Sequence, residues 1–522
     1  MHFKRRRRII RRMEESHRVA RNGRVLFALV FILLLASSYA EAEVSLPAII
    51  SQGMVVQRGV PVHVWGQAAA GEAVSVTFRG AGRTTKADEL GRWSVHLPAG
   101  DAGGPFDLEI QGSNRIIVGD VWVGDVWVAS GQSNMEMALG EVNNAESEIA
   151  SANWPEIRLL RLQNTTSDYP RTDASIKSAW QACSPDSARD FSALAYFFGR
   201  EIHQKQRVPV GLIQSAWGGT PAESWTSLGS LAFDASLMPV FAQRARVADT
   251  QAANLLALEK EEREYQQAVI RAKTEGRPTP GRTWHPDFGA WAPAALYNAM
   301  IAPLTRLPIR GVIWYQGESN SGPERAPLYA RLFQTLIADW RKAWGQGDFP
   351  FLFVQIANWS PGDDWPTVRE AQRAALSVRN TGMAVSIDIG DPVNIHPLNK
   401  QEVGRRLALA ARALAYGEDI EYSGPLFRQV TAEEDGLRVW FDHATGGLKA
   451  KGDALKGFEI AGADQVFASA TARIEGGTVV VSSPKIAAPV FVRYGWAANP
   501  DCSLSNGEEL PASPFRSGPA RR

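Results

Sequence analysis

The feature that most limits the fold of this chain is a set of five short apolar runs, separated by segments with helical periodicity, after residue 121. Each run is almost entirely apolar, which is typical of a parallel strand that is buried on both faces. Strands that alternate with helices build a parallel sheet covered by helices, so the pattern predicts the α/β class. The predicted strands are 126–129, 210–213, 311–315, 351–354 and 384–387, and the predicted helices include 191–204, 328–344 and 400–416.

Two regions outside this segment have a different rhythm. Residues 43–118 contain short alternating apolar runs punctuated by Gly and Pro, which predicts an antiparallel β-sandwich of immunoglobulin-like size. A β pattern returns from about residue 421, for example at 437–441 and 479–481, and predicts a C-terminal β segment over 421–522. Because 522 residues exceed the usual size of one hydrophobic core, we expect separate domains, with the α/β domain at 119–420.

One stretch inside the α/β region departs from the pattern. Residues 226–297 combine a highly charged helical segment with a loop rich in Pro, Gly and Trp. We interpret this stretch as an insertion over the carboxyl edge of the sheet, where loops commonly shape binding sites.

The first 42 residues differ from the rest of the chain. They contain ten Lys and Arg against three Asp and Glu, then an apolar run at 25–36 and the triplet Ala40-Glu41-Ala42. These are the three parts of a secretory signal, so we predict cleavage before Glu43 and export to the periplasm or the extracellular space. Initiation at Met13 would shorten the basic part. A retained membrane anchor is the alternative, although the apolar run is short for a span.

Charge and cysteine content exclude some functions for the remaining chain. After residue 42 there are 46 basic and 52 acidic side chains, a net charge of −6. Nucleic-acid binding requires clustered cationic surface and gains no support from this composition. Cys183 and Cys502 are too few for a metal cluster or a disulfide framework. Buried thiols are the favoured interpretation, and a bridge is the alternative in an oxidising compartment.

Polar clusters follow four of the five predicted strands. Because the carboxyl ends of parallel strands share one edge of a sheet, we expect these clusters to meet in one crevice. Ser133 lies at a strand-to-helix turn, where free backbone N–H groups can stabilise an oxyanion. A simple Gly-Ser turn would explain the first cluster alone, but the convergence of four clusters favours a reactive site. The clusters are 131–135, 214–220, 316–320 and 388–397.

His396 is the predicted general base. A serine hydroxyl is a poor nucleophile near pH 7 and needs a neighbouring base, most often a histidine. Of the eight histidines, only His396 lies in the segment directly after the last predicted strand of the sheet, and Pro397 favours an extended conformation at that position. We therefore predict that His396 deprotonates Ser133.

Several motifs resemble the sialate O-acetylesterase family of SGNH hydrolases. The main ones are the run 124–135, Gln316-Gly317-Glu318-Ser319-Asn320 and Ile395-His396-Pro397. Segments 53–58, 195–200 and 492–496 also look like that family, so the resemblance covers nearly all of the chain after residue 42. It implies a three-layer α/β/α fold and hydrolysis of O-acetyl esters on sugars through an acyl-enzyme, without a metal or organic cofactor.

The same resemblance implies roles for individual residues. The oxyanion hole would consist of the backbone N–H groups of Ser133 and Gly219 and the side chain of Gln316. Asn320 and Glu318 would hold the loop around Gln316, and Asn320 is also a candidate for the sugar site.

The acidic member of a catalytic triad is the least determined residue. Superfamily enzymes often have Asp three residues before the histidine, but Val393 occupies that position here. Asp391 is the first choice and Asp388 the second. A Ser-His dyad oriented by a backbone carbonyl is the third possibility.

Aromatic residues near these clusters suggest a carbohydrate ligand, because their faces suit sugar rings. Trp217 and Trp225 lie on a predicted loop and are substrate candidates, whereas Trp314 lies within a strand and is assigned to the core. The sequence leaves open whether the substrate is acetylated sialic acid or an acetylated plant polysaccharide such as xylan or xyloglucan, and leaves the oligomeric state open too.

Two other classes of protein are alternatives to an O-acetylesterase. An α/β-hydrolase lipase or peptidase is disfavoured, because Met135 replaces the second glycine of a G-x-S-x-G elbow. The non-enzymatic alternative is a carbohydrate-binding protein with an inactive hydrolase domain.

Overall fold

The computed structural model describes residues 43–283, 285 and 287–518, so the predicted signal segment 1–42 lies outside the described residues. A central, mostly parallel sheet is covered by helices, and further strands follow it at the C-terminal end. The predicted α/β class is confirmed. Within the described part of the chain, no helix has the length and apolarity needed to cross a membrane.

The N-terminal β region leads directly into the central sheet. Strands β3, β4, β6 and the first half of β7 form an antiparallel sheet, while β2 and β5 pair with each other. Because β7 continues unbroken to residue 131, the boundary predicted at 118/119 lies inside a strand that both regions share. The strands are β1 Val55–Gln57, β2 Val62–Gln67, β3 Ala73–Phe78, β4 Ala81–Lys86, β5 Arg92–Leu97, β6 Gly103–Gln111 and β7 Arg115–Gly131.

The second half of β7 is the middle strand of the central sheet, whose order is β13-β12-β11-β7-β10-β8-β9. All neighbouring pairs are parallel except β8 with β9. Every residue of β10, β11, β12 and β13 is buried, as expected of strands covered by helices on both faces. The strands after β7 are β8 Trp154–Leu162, β9 Ile176–Cys183, β10 Val210–Ala216, β11 Gly311–Tyr315, β12 Phe351–Val354 and β13 Thr381–Ala384.

The helices begin and end at local signals in the sequence. Helix α9 matches its predicted bounds: the Asn399 side chain accepts a hydrogen bond from the Glu402 N–H at its start, and Gly417 adopts φ 71° at its end. Helix α6, within the predicted insertion, has 37 residues. The helices are α1 Ser133–Glu136, α2 Ala145–Ala150, α3 Pro185–Arg189, α4 Ala193–Gln206, α5 Leu228–Phe233, α6 Met238–Thr274, α7 Ala326–Trp344, α8 Trp365–Ala374 and α9 Lys400–Tyr416.

The C-terminal strands enclose a second apolar core, centred on Val439, Ile460 and Phe515. Two four-stranded sheets have the orders β14-β15-β20-β19 and β18-β17-β21-β23, and β16 pairs with β22. Cys183 and Cys502 are both free thiols. The strands are β14 Leu426–Glu433, β15 Gly436–Asp442, β16 Leu448–Ala450, β17 Phe458–Ala461, β18 Ala468–Ser469, β19 Thr471–Glu475, β20 Thr478–Ser482, β21 Phe491–Tyr494, β22 Leu504–Asn506 and β23 Phe515–Arg516.

The last predicted strand of the sheet lies three residues earlier than expected, at β13, and two strands were not predicted. Strand β8 contains Pro155, Arg158 and Arg161, which interrupt its apolar pattern. Strand β9 lies at the edge of the sheet and has several exposed or half-buried residues, so it lacks the continuous apolar pattern of the inner strands.

Candidate active site

Ser133 and His396, which are 263 positions apart, meet at the carboxyl edge of the sheet. Ser133 is the first residue of α1, directly after β7, and His396 lies on the long loop between β13 and α9. The Nε2 atom of His396 is 2.8 Å from the Oγ atom of Ser133. This distance is within the range that proton transfer from a serine to a general base requires.

The surroundings of His396 favour its neutral form. Burial is the main cause that lowers the pKa of His396; the positive charge of Lys400 lowers it further, and the negative charge of Glu141 opposes them. An unprotonated imidazole can accept the serine proton near pH 7. Electrostatics and distance therefore both suit a basic role for His396.

Glycines bring the neighbouring loops close to Ser133. A Cβ atom on Gly131 would lie 2.1 Å from the carbonyl oxygen of Tyr315, so only glycine allows the end of β7 to approach β11 in this way. A Cβ atom on Gly218 would lie 3.3 Å from the Cβ atom of Ser133. The loop after β10 therefore passes directly beside the serine side chain.

Two backbone donors are free at this point. The N–H of Ser133 belongs to the first turn of α1, where a helix leaves its amides without intrahelical partners. Neither this N–H nor that of Gly219 has a protein acceptor among the residues that the structure describes. Both backbone groups predicted for the oxyanion hole thus remain available to a ligand.

The third predicted donor, Gln316, is already occupied. Its buried Nε2 atom donates to Asn320 Oδ1 at 2.6 Å and to the carbonyl oxygen of Thr220 at 3.3 Å. Donation to an oxyanion would replace the longer of these contacts, the one to Thr220. Tyr329 donates to Gln316 Oε1 at 2.9 Å and fixes the orientation of the amide.

Asn320 holds the loops together, as expected for one of its two proposed roles. Its Oδ1 atom also accepts a hydrogen bond from the Ala222 N–H at 2.9 Å, and its Nδ2 atom donates to Glu223 at 2.9 Å. Glu223 is in turn ion-paired with Arg325. Because Asn320 is 1% exposed and these bonds use both ends of its amide, the structure does not place it at the sugar site.

Neither predicted triad acid forms a hydrogen bond with the imidazole of His396. Asp391 Oδ1 accepts hydrogen bonds from the N–H groups of Val393 at 2.9 Å and Asn394 at 3.1 Å, and no hydrogen bond joins it to His396. Asp388 forms two hydrogen bonds to Arg406, at 2.7 and 2.8 Å. The choice of Asp391, and of Asp388 after it, therefore differs from the observed geometry, in which Asp391 shapes the loop backbone.

The predicted substrate tryptophans have different positions. Trp225 is 0% exposed, donates its indole N–H to Thr220 Oγ1 at 2.9 Å and packs against Trp314, so it belongs to the core and cannot contact a sugar. Trp314 is also buried, as predicted. Trp217 is half-buried. It begins the loop 217–220 after β10, which we call the glycine loop, and it remains a substrate candidate.

Two further residues support the glycine loop and were not identified from the sequence. Glu136 Oε2 accepts the N–H of Gly218 at 2.6 Å, and its Oε1 atom accepts a hydrogen bond from Asn164 at 2.8 Å. Trp291, from the predicted insertion, donates to the carbonyl oxygen of Gly219 at 2.6 Å. Glu136 could have been found from its spacing, because a residue three positions after Ser133 lies on the same helix face.

The geometry agrees with comparisons to known proteins. A family model described as carbohydrate esterase, sialic acid-specific acetylesterase, matches residues 123–258 and 275–413. The sialate O-acetylesterase of Homo sapiens is 31% identical over 451 residues, and that of Pongo abelii is 30% identical over 452 residues; each match covers 77% of both chains. The crystal structure of a carbohydrate acetylesterase from Xanthomonas citri is 38% identical with a TM-score of 0.79, and the match covers 91% of this chain and 100% of that one.

These similarities extend across the segments that carry Ser133, Gly219 and Gln316, and they confirm the family resemblance stated from the motifs. The chain is an esterase, and it belongs to the sialic acid-specific acetylesterase family of carbohydrate esterases.

Proposed function

We propose that this protein is an exported O-acetylesterase of the SGNH type, which removes acetyl groups from carbohydrates through an acyl-enzyme on Ser133. The family assignment supports an O-acetylated sugar as the substrate. The observation that carries the mechanism is the 2.8 Å separation of Ser133 Oγ and His396 Nε2. Export rests on the predicted signal segment, and N-terminal sequencing of secreted protein should then begin at Glu43.

The proposed reaction has two halves. Ser133 Oγ attacks the acetyl carbonyl carbon while its proton passes to His396 Nε2, and the N–H groups of Ser133 and Gly219 stabilise the oxyanion. The imidazolium then protonates the leaving sugar oxygen, and the acetyl group stays on Ser133. In the second half His396 deprotonates water, which attacks the acetyl carbonyl carbon. The bond from that carbon to Ser133 Oγ then breaks as the imidazolium returns its proton to Oγ, and acetic acid leaves and ionises to acetate. Each oxyanion donor contributes on the order of 3 kcal/mol to the transition state.

This mechanism is a Ser-His dyad. No carboxylate accepts a hydrogen bond from the imidazole among the described residues, so the loop itself orients His396. The Asn394 side chain supports this role, because its Oδ1 atom accepts the backbone N–H of His396 at 2.9 Å.

A neutral acetylated polysaccharide is a second candidate substrate, favoured by the charges near the site. Glu136 supports the loop beside Ser133, and Glu141 acts electrostatically on His396. Arg325, which stacks on Trp291 with its guanidinium 4.4 Å from the ring centre, is neutralised by Glu223. This arrangement suits an uncharged sugar better than an anionic sialic acid, whose carboxylate calls for a cationic partner.

The first experiment measures acetate release from p-nitrophenyl acetate by the wild type and by Ser133→Ala. We expect the variant to lose at least about 10³-fold in kcat. Ser377→Ala, which removes an exposed hydroxyl remote from β7, is the matched control and should retain activity. Equally negligible release by wild type and Ser133→Ala would refute the proposal and favour the carbohydrate-binding alternative.

The second experiment compares acetylated sialoglycan with acetylated xylan. Faster acetate release per mole of enzyme from sialoglycan would support the sialate substrate, whereas faster release from xylan would support the neutral polysaccharide.

A further inference from the structure

A buried chain of polar side chains lies behind Ser133. Lys400, the first residue of α9, donates its Nζ proton to Asn134 Oδ1 at 2.5 Å. The Nδ2 atom of Asn134 donates to Glu318 Oε1 at 2.6 Å. Lys400 and Asn134 are each 1% exposed, and Glu318 is 7% exposed. An amino group and a carboxyl group are thus joined through one amide in a buried site.

The two ionisable groups are incompletely paired. Lys400 forms no ion pair with any described residue, and its Nζ atom lies 5.3 Å from the centre of the Tyr315 ring. The Oε2 atom of Glu318 is buried and has no hydrogen-bond partner. Burying such groups is unfavourable compared with apolar side chains of similar volume. A stabilising role therefore does not explain why the two groups occupy these positions.

Asn134 connects the turn that carries Ser133 with three other segments near the site. It follows Ser133, and its Nδ2 atom also donates at 3.0 Å to the carbonyl oxygen of Ile395, the residue before His396. Through Glu318 it contacts the loop after β11, and through Lys400 it contacts the start of α9. The Asn134 amide therefore fixes the turn that carries Ser133 relative to the loop that carries His396.

We propose that Lys400 and Glu318, linked through Asn134, are positioning residues that hold Ser133 against His396, with the amino group of Lys400 placed behind the loop that carries the histidine. Lys400 does not touch the reacting atoms. The proposal rests on the proposed function, since it assigns these residues to the same Ser-His pair.

The charged groups around His396 act in opposite directions. Lys400, from α9, lowers the pKa of His396, and Glu141, from the turn after α1, raises it. In the same loop, Asp391 binds backbone N–H groups and Asp388 is neutralised by Arg406.

Burial has the largest effect on Lys400 and lowers its pKa to about 7, while the negative charge of Glu318 acts in the opposite direction. Lys400 therefore still carries its charge in the more acidic range where His396 titrates. Its removal should make His396 easier to protonate.

The test is the pH profile of kcat/KM for p-nitrophenyl acetate, whose acidic limb reports the pKa of the base in the free enzyme. In Lys400→Met the midpoint of this limb should move to higher pH. In Glu141→Gln it should move to lower pH. Lys205→Met removes an exposed charge from α4 and should leave the midpoint in place. An acidic limb that Lys400→Met does not raise would overturn the proposal, because loss of packing alone reduces the rate without moving the midpoint.

A second variant guards against misfolding. Glu318→Gln with Lys400→Met removes both buried ionisable groups, so it should fold at least as well as the single variant and keep the raised midpoint. The imidazole of His396 can also be titrated by NMR in histidine-labelled protein, with the same expected shift. If the wild type hydrolyses no ester, the proposed function fails, while the NMR titration still decides whether Lys400 controls His396.

Discussion

Replacing Asp391 with Asn distinguishes a catalytic dyad from a triad. In the structure the Asp391 Oδ1 atom accepts two backbone N–H groups of its own loop, and His396 is not one of its partners. An Asn side chain presents the same oxygen to the same two donors. The loop should therefore keep its shape, while any carboxylate that holds the imidazole would be lost.

The two mechanisms predict very different rates for Asp391→Asn. A triad aspartate replaced by Asn lowers kcat by about 10⁴, which is about 5.5 kcal/mol of transition-state stabilisation. In a dyad the change only converts two charge-assisted hydrogen bonds to neutral ones, a difference of about 1–2 kcal/mol in the free energy of unfolding. We therefore expect kcat/KM to fall by less than about fivefold.

The assay is kcat/KM with p-nitrophenyl acetate and with an acetylated sugar, paired with urea unfolding of each variant. Asp453→Asn, at an exposed position of the C-terminal region, is the matched control for loss of one negative charge. A fall of 10³-fold or more in kcat, with the unfolding free energy nearly unchanged, would refute the reasoning and show that Asp391 reaches the imidazole during turnover.

Three further outcomes are expected. Glu136→Ala removes the carboxylate that accepts the Gly218 N–H at 2.6 Å. In steady-state assays kcat should therefore fall about 10- to 100-fold with little change in KM, and an unchanged kcat would contradict this role. Trp217→Ala should raise KM for acetylated sugars more than for p-nitrophenyl acetate, and equal effects on both would argue against sugar contact. Arg369→Met leaves four carbonyl acceptors, including those of Ala497 and Ala498, without their buried donor, so urea unfolding should show a loss of about 3 kcal/mol or more, and a wild-type midpoint would contradict it.

The sequence predicted those parts of the fold that depend on continuous apolar patterns. Strands β10 and β11 are buried along their whole length. Hydrophobicity alone predicted the first four residues of β10 and all of β11. Strand β8 was not found, because its Arg158 is buried through pairing with Asp120 rather than through apolar packing. A charged residue in a strand is neutralised by a partner that is distant in sequence, and a local pattern contains no information about that partner.

The same distinction applies to the residues of the candidate site. Ser133 and His396 were identified because their chemistry and their positions after strands both point to one edge of the sheet. Asp391 was chosen because it is near His396 in sequence, but proximity does not determine where a carboxylate points. Trp225 was chosen for its loop position, yet its indole N–H binds Thr220 and its ring enters the core. The orientation of a loop side chain depends on tertiary contacts that the sequence alone does not specify.

The buried carboxylate of Asp125 links the N-terminal β region to the elements that flank the site. Asp125, on β7, is 0% exposed and accepts hydrogen bonds from Gln57 at 3.1 Å, Arg58 at 2.9 Å and the Tyr416 hydroxyl at 3.0 Å. Gln57 and Arg58 come from the N-terminal β region, and Tyr416 ends α9, the helix that begins with Lys400.

Strand β7 ends two residues before Ser133, and α9 starts four residues after His396. Asp125 thus joins β7, which leads into the turn with Ser133, to the C-terminal end of α9, which follows the loop with His396. Because a shift of either element would separate Ser133 from His396, we expect the N-terminal β region to help fix this distance rather than to supply a reactive group.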